Sequence, residues 1–195
     1  MKSYKLLTLT FLLLAALSVT GCSGSDDAAA VKDKAAVRSE TVPETRLRPA
    51  AERVDAPPIQ ATTMDGAPVT LDAKRDGKIH IINFWATWCP PCRAEMPELD
   101  ILAGELKNRD DVAFYAVNLG DNPDTVHRFL VETGLVDLTI LLNQDNSAAR
   151  QYAVQSIPTT ILIDADGKLA YRQIGMTTAA ELKSALDALK EEDKR

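Results

Sequence analysis

The sequence predicts an α/β fold in which a mixed central sheet is flanked by helices. Apolar runs of strand length alternate with segments of helical periodicity, and the runs at residues 78–85 and 112–119 are apolar enough for burial on both faces. The chain then ends with two strands joined by a tight turn and a helix. Strands linked by helices and followed by a hairpin give a sheet with both parallel and antiparallel neighbours.

Composition limits the classes of function. The chain has 195 residues, 46% of them hydrophobic and 26% charged, which suits one globular domain with extensions. A net charge of −6 argues against broad binding of phosphate backbones, so we expect no nucleic-acid partner. Three cysteines are too few for a disulfide framework, and the two histidines have no ligand spacing, so we expect no metal site.

The N-terminus predicts export. Lys2 and Lys5 precede an apolar run at residues 6–17, which is shorter than the roughly 20 residues that span a bilayer. Residues 19–22, Val-Thr-Gly-Cys, resemble a bacterial lipobox, which implies a lipoprotein signal peptide over residues 1–22 and a lipid anchor on Cys22. An uncleaved signal anchor, or cleavage that discards Cys22, remains an alternative.

Residues 23–56 predict a flexible tether between the anchor and the domain. They are rich in Ala, Asp, Lys, Glu, Ser and Thr and contain no aromatic residue, so they lack the apolar area that offsets chain ordering. The globular domain is therefore expected over residues 57–195. It begins with a β-hairpin within residues 61–72, whose turn is indicated by Asp65-Gly66.

The next elements follow in order. Residues 78–85 predict a buried strand, and a helix with leucines at helical spacing starts near Cys89. Residues 112–119 predict a second buried strand. Asn122 is a suitable N-cap for the helix after it, with Pro123 at the first position and Gly134 at the end.

The C-terminal third predicts a strand at residues 138–142 and a short helix at residues 146–152. A hairpin follows, with strands at residues 159–164 and 168–174. The last helix opens with a capping box formed by Thr178 and Glu181.

The cysteine pair Cys89-Pro90-Pro91-Cys92 follows a buried strand and opens a helix. The free N–H groups and partial positive charge of a helix start favour a thiolate, and a two-residue spacer places the second sulfur one turn away. We therefore predict that Cys89 attacks a disulfide and that Cys92 resolves the mixed disulfide. An inert disulfide staple and half of a metal site are the alternatives.

A family resemblance extends this interpretation. Residues 83–99, NFWATWCPPCRAEMPEL, and residues 156–160, SIPTT, resemble the active-site segment and the cis-proline loop of the TlpA/ResA-like thioredoxins. These are exported, often membrane-anchored reductases, and the match covers about residues 57–190. The resemblance implies a thioredoxin fold, with the helix and strand between Asn122 and Leu142 as the insertion typical of this branch.

The resemblance also assigns roles to single residues. It implies a cis peptide bond between Ile157 and Pro158, and it makes Glu95 the group that accepts the proton of Cys92. Asn83 stands where cytosolic thioredoxin carries a buried aspartate, which makes Glu95 the stronger candidate for proton handling. The residues expected to contact substrate are Trp88, Pro90, Pro91, Ile157 and Pro158.

The expected function is reduction of protein disulfides in an oxidising compartment, for example in apocytochrome c during cytochrome c maturation. No cofactor is expected beyond the redox-active disulfide of Cys89 and Cys92. Electrons would come from a membrane donor resembling CcdA or DsbD. We expect a monomer in the periplasm or on the outer face of the cytoplasmic membrane, with an outer-membrane anchor left open. The alternatives are a disulfide-forming oxidase of the same fold and a Sco-like copper chaperone.

Overall fold

The computed structural model describes residues 47–193, whose strands form one seven-stranded sheet in the order β2-β1-β5-β4-β3-β6-β7. The three central strands β5, β4 and β3 are parallel, while both ends of the sheet are antiparallel. The predicted mixed sheet is therefore confirmed. The strands are β1 (Ile59–Thr62), β2 (Pro68–Leu71), β3 (Ile79–Trp85), β4 (Val112–Leu119), β5 (Thr139–Asn143), β6 (Thr159–Ile163) and β7 (Leu169–Ile174).

Helices cover both faces of the sheet. Side chains of α1 (Pro90–Leu106), α2 (Pro123–Thr133) and α4 (Ala179–Asp193) belong to one apolar cluster. The short helix α3 (Ser147–Gln151) contributes to a second cluster, together with the hairpin of β1 and β2. A sheet with an apolar cluster on each face matches the two-sided burial predicted for its central strands.

The largely apolar sequence of β3 follows from its central position. All seven of its residues are buried. Successive side chains point to opposite faces, so Ile81 and Trp85 join one cluster while Ile82 and Phe84 join the other. Because neither face of β3 meets solvent, its sequence does not alternate between apolar and polar residues, and only His80 and Asn83 in this strand are polar.

Two predicted helix starts have the expected caps. The Asn122 side chain accepts a hydrogen bond from the N–H of Thr125 at 2.9 Å, and α2 ends at Gly134 in the left-handed conformation. At the start of α4, the Glu181 carboxylate accepts from the N–H of Thr178 at 2.9 Å, and the Thr178 hydroxyl accepts from the N–H of Glu181 at 3.2 Å. This reciprocal pair is the predicted capping box.

The domain begins earlier than predicted. Residues 47–56, here called the N-terminal segment, lie along the edge strand β7: the N–H of Arg48 donates to the carbonyl of Ala170 at 2.7 Å, and Val54 accepts from the N–H of Leu169 at 2.9 Å. Arg53 is buried and forms an ion pair with Asp164 at 3.1 Å. The predicted tether boundary at residue 56 is therefore wrong. The N-terminal segment has few apolar side chains, but its contacts with β7 and Asp164, which are distant in the sequence, hold it on the domain.

The rest of the predicted tether, residues 23–46, and the predicted signal peptide, residues 1–22, lie outside the described residues. Within residues 47–193, no helix has the length and apolar character that crossing a bilayer requires.

Candidate active site

A disulfide joins Cys89 and Cys92 at the start of α1. Cys89 is the N-cap of the helix, and its sulfur accepts a hydrogen bond from the N–H of Cys92 at 3.3 Å. Pro90 and Pro91 occupy the first two helical positions and carry no N–H, so Cys92 supplies the first N–H of the helix to the sulfur. This geometry favours negative charge on Cys89 once the disulfide is reduced.

Both cysteines are buried in the disulfide form, Cys89 with 3% of its surface exposed and Cys92 with none. Attack by Cys89 before Cys92 stays a prediction from the sequence. Trp88 beside them is 67% exposed, and Pro90 and Pro91 are also exposed. Exposed apolar residues therefore surround the edge of the cysteine pair, as expected of a surface that contacts a protein substrate.

The proline loop lies against the sulfur of Cys89. The peptide bond between Ile157 and Pro158 is cis, as the resemblance implied. The sulfur of Cys89 lies 3.6 Å from the carbonyl oxygen of Ile157, and the carbonyl of Pro158 accepts from the N–H of Gly175 at 2.9 Å. The proline loop beside Cys89 is thus held by the residue that follows β7.

A groove continues from this surface. Its volume is about 560 Å³, and it runs between Trp88, the end of β4, helix α3 and the proline loop. Its lining has no charged side chain and consists of Trp88, Leu119, Gly120, Asn146, Ala149, Val154, Gln155, Ser156 and Ile157. A groove of this kind suits apolar or neutral polar side chains that flank a reacting cysteine.

Glu95 is a carboxyl group that is only 2% exposed, three residues after Cys92 on α1. One carboxyl oxygen, Oε1, accepts from Asn83 Nδ2 at 2.8 Å, and the other, Oε2, accepts from the N–H of Thr177 at 2.8 Å. Burial raises the pKa of Glu95, and the two hydrogen bonds offset part of that rise because they stabilise the charged form. A carboxyl group with a raised pKa holds a proton more readily than an exposed one, which suits a proton acceptor.

Asn83 connects Glu95 to strand β6. Its Nδ2 also donates to the hydroxyl of Thr160 at 2.9 Å, and Thr160 lies directly opposite Asn83 in the sheet. The sequence singled out Asn83 and placed Thr160 in the proline-loop motif without a role, whereas Thr177 was missed. Both threonines are far from α1 in the sequence, so no local pattern indicated their contacts with this site.

The loop that carries Trp88 is held by Asp121, which sequence reasoning also missed. The Asp121 carboxylate accepts from the N–H of Thr87 at 2.7 Å and from Asn118 Nδ2 at 2.9 Å. Asn118 lies near the end of the buried strand β4, and Asp121 follows that strand. Polar residues at the carboxyl end of a buried strand were the available signal, because that edge of the sheet also carries the cysteine pair.

The structure thus brings together the predicted residues Trp88, Cys89, Cys92, Glu95 and the loop of Ile157 and Pro158. Cys22, the predicted lipidation site, lies outside the described residues.

Comparisons with known proteins agree with this geometry. The family model named Redoxin matches residues 39–189. The thiol:disulfide interchange protein HelX of Rhodobacter capsulatus is 34% identical over 63% of this chain and 67% of its own length. The thiol-disulfide oxidoreductase ResA of Geobacillus thermodenitrificans is 33% identical over 69% of this chain and 76% of its own length.

A solved structure has the same fold. The crystal structure of a thiol:disulfide interchange protein of the thioredoxin family from Chlorobium tepidum superposes with a TM-score of 0.61 at 26% identity. The match covers 72% of this chain and 99% of that protein.

Proposed function

Because the chain belongs to the Redoxin family, and within it to the TlpA/ResA-like thiol–disulfide oxidoreductases, we propose that it reduces disulfides of exported proteins. The observation that carries this proposal is the Cys89–Cys92 disulfide at the start of α1, next to the exposed Trp88. The active form is the dithiol, and apocytochrome c is a client of suitable chemistry.

The reaction consists of two exchanges. The Cys89 thiolate attacks one sulfur of the client disulfide, and the other client sulfur leaves as a thiolate, so that a mixed disulfide remains. Cys92 then loses its proton to Glu95 and attacks the sulfur of Cys89, which releases the second client thiolate. The client gains two electrons, and the domain is left with the Cys89–Cys92 disulfide.

Regeneration needs two electrons from an external dithiol. A membrane thiol transporter resembling CcdA or DsbD is a donor of the right chemical class. Apart from the disulfide, the reaction requires no cofactor, and a single copy of the chain carries all the residues it uses.

Client binding is proposed along the proline loop. The carbonyl of Ile157 lies beside the Cys89 sulfur, so an extended client segment would pass over Ile157 and Pro158 while Trp88, Pro90 and Pro91 contact its side chains. The uncharged groove beyond Trp88 would hold residues that flank the client cysteine.

The proposal includes export and a lipid anchor on Cys22. Residues 19–22 support it, because Val-Thr-Gly-Cys resembles a bacterial lipobox. The anchored domain would act in the periplasm or on the outer face of the cytoplasmic membrane.

The reduction potential of the full chain tests the direction of transfer. Equilibration with glutathione, followed by alkylation of free thiols, gives the potential of the Cys89–Cys92 pair. A reductase requires a value below about −220 mV, whereas a value near about −120 mV would assign the protein to the disulfide-forming oxidases instead.

A further inference from the structure

The Asn83 side chain has an incomplete set of hydrogen bonds at a position where that is costly. Asn83 is 1% exposed in the middle of β3, and its Nδ2 donates to Glu95 Oε1 and to Thr160 Oγ1. Its Oδ1 is buried without a hydrogen-bond partner. An unpaired buried acceptor is unusual enough to require an explanation.

The two ends of a carboxamide have nearly the same shape and opposite hydrogen-bonding roles. A half-turn about the Cβ–Cγ bond exchanges the donor Nδ2 for the acceptor Oδ1 without moving other atoms. In the arrangement described, both Nδ2 hydrogens meet acceptors, which suits an ionised Glu95. After the half-turn, Oδ1 would face the Glu95 carboxyl and the Thr160 hydroxyl, and both of these groups could then donate to it.

The proton that Glu95 takes up has only one favourable position. Oε2 accepts from the backbone N–H of Thr177, and a backbone N–H cannot become an acceptor. A proton on Oε2 would therefore face a donor. Of the two hydrogen-bond partners that Glu95 has among residues 47–193, Asn83, which faces Oε1, is the one that can exchange donor for acceptor.

We propose that Asn83 is a positioning residue for the proton transfer from Cys92, and that its carboxamide rotates by half a turn when Glu95 Oε1 becomes protonated. The inference rests on the proposed function, in which Glu95 accepts that proton. No electron moves in this step: the S–H bond of Cys92 breaks, an O–H bond forms on Glu95, and the Asn83 oxygen accepts the new O–H.

The rotation explains why an amide serves here. An aspartate would place a second negative charge beside Glu95 and could only accept, and a leucine could neither donate nor accept. In each orientation of the Asn83 carboxamide, one polar atom is left without a partner at the position that Oδ1 now occupies. The other polar atom faces Glu95 as a donor when Glu95 is ionised and as an acceptor when Glu95 is protonated, so a donor never faces a donor. Glu95 can then take up and release the proton within one catalytic cycle.

The direct test is a pH titration by NMR of the full chain, labelled with ¹⁵N and ¹³C. We expect the Asn83 Nδ2 resonances to shift with the same midpoint as the Glu95 carboxyl carbon, and we expect this response to vanish in Glu95→Gln. If the Glu95 carbon titrates while the Asn83 resonances stay constant, the inference is overturned. This measurement needs no variant at position 83.

Substitution gives a second readout. Asn83→Leu removes the donor that stabilises the carboxylate, so the Glu95 midpoint should move to higher pH and resolution by Cys92 should slow roughly tenfold on the acidic side of the pH profile. Asn143→Leu is the matched control, since Asn143 is also buried and donates to the carbonyl of Gln60 at 3.0 Å, away from Glu95. It should lose stability and leave the Glu95 midpoint unchanged.

An Asn83→Leu variant with an unaltered midpoint and pH profile would contradict the inference. Failure of the proposed function has a different signature, because Glu95→Gln would then resolve mixed disulfides at the wild-type rate and Asn83 would have no proton step to serve.

Discussion

Glu95 makes the stability of the domain depend on pH in a defined direction. Burial raises its pKa above the value in the unfolded chain, so the folded state binds the proton more tightly. Glu95 therefore stabilises the folded state fully at pH values below its pKa in the unfolded chain. This stabilisation is lost as the pH rises through the pKa of Glu95 in the folded chain. We expect the free energy of unfolding of the wild type to fall relative to Glu95→Gln across that interval, as measured by denaturant unfolding.

The control for this experiment is Glu98→Gln, which changes an exposed carboxyl group three residues further along α1. Because Glu98→Gln keeps Glu95, its free energy of unfolding should also fall relative to Glu95→Gln in that pH interval. A wild type whose stability changes in parallel with Glu95→Gln at every pH would show that Glu95 is not perturbed by folding.

Trp88 is expected to affect recognition rather than chemistry. Its side chain is 67% exposed, so Trp88→Ala removes little buried area and should leave stability close to that of the wild type. Loss of an aromatic contact should raise KM for a protein disulfide roughly 2- to 10-fold. The rate with a small disulfide such as oxidised glutathione should stay the same, and an equal loss with both substrates would refute a role in binding.

At the scale of elements, Asp100 joins α1 to the loop before β5. Its carboxylate accepts from three consecutive backbone N–H groups, at 3.2 Å from Val136 and at 2.9 Å from both Asp137 and Leu138. Asp100 is 8% exposed, so these donors have little access to water if the carboxylate is removed. The carboxylate therefore fixes the inserted helix and strand against the helix that carries the cysteines.

Asp100→Ala should destabilise the domain by about 3 kcal/mol, because each unpaired buried donor costs roughly 1–3 kcal/mol. Hydrogen exchange should accelerate first at residues 136–138. Asp110→Ala provides the control, since Asp110 is exposed in the turn after α1 and should have little effect. If Asp100→Ala matched Asp110→Ala in stability and exchange, the loop would be held by other contacts.

The elements were largely predictable from the sequence, since their signals are local. Asn122 and Gly134 bracket α2, and the apolar run at residues 78–85 has no polar face to expose. The contacts that complete the site were less predictable. Glu95 was assigned from a resemblance, but its contact with Thr177 joins residues 82 positions apart, and periodicity carries no information about such pairs.

At the scale of the molecule, the N-terminal segment closes the edge of the sheet next to β7. Arg53 is the residue that holds it, with one ion pair to Asp164 at 3.1 Å and a second to Glu192. The side chains of Arg53 and Asp164 are 4% and 7% exposed, so this pair is shielded from water. The segment covers backbone groups of an edge strand that could otherwise pair with another chain.

Arg53→Met should lower the free energy of unfolding by about 3–5 kcal/mol, because it leaves the buried Asp164 carboxylate without an ion-pair partner. The double variant Arg53→Met, Asp164→Asn should recover part of this loss. Lys74→Met breaks an exposed ion pair with Asp55 and should have little effect. An Arg53→Met variant as stable as Lys74→Met would show that the segment is not held by this pair.

The central claim of thiol–disulfide exchange, attack by Cys89 and resolution by Cys92, can be measured in a single turnover. The reduced full chain with Cys92→Ser is mixed with a disulfide-bonded peptide, and the adduct is located by mass spectrometry. We predict one peptide per chain on Cys89, stable until a second thiol is added, and no disulfide reduction by Cys89→Ser. A Cys89→Ser variant that still reduces the peptide, or a Cys92→Ser variant that turns over repeatedly without a trapped adduct, would contradict this account.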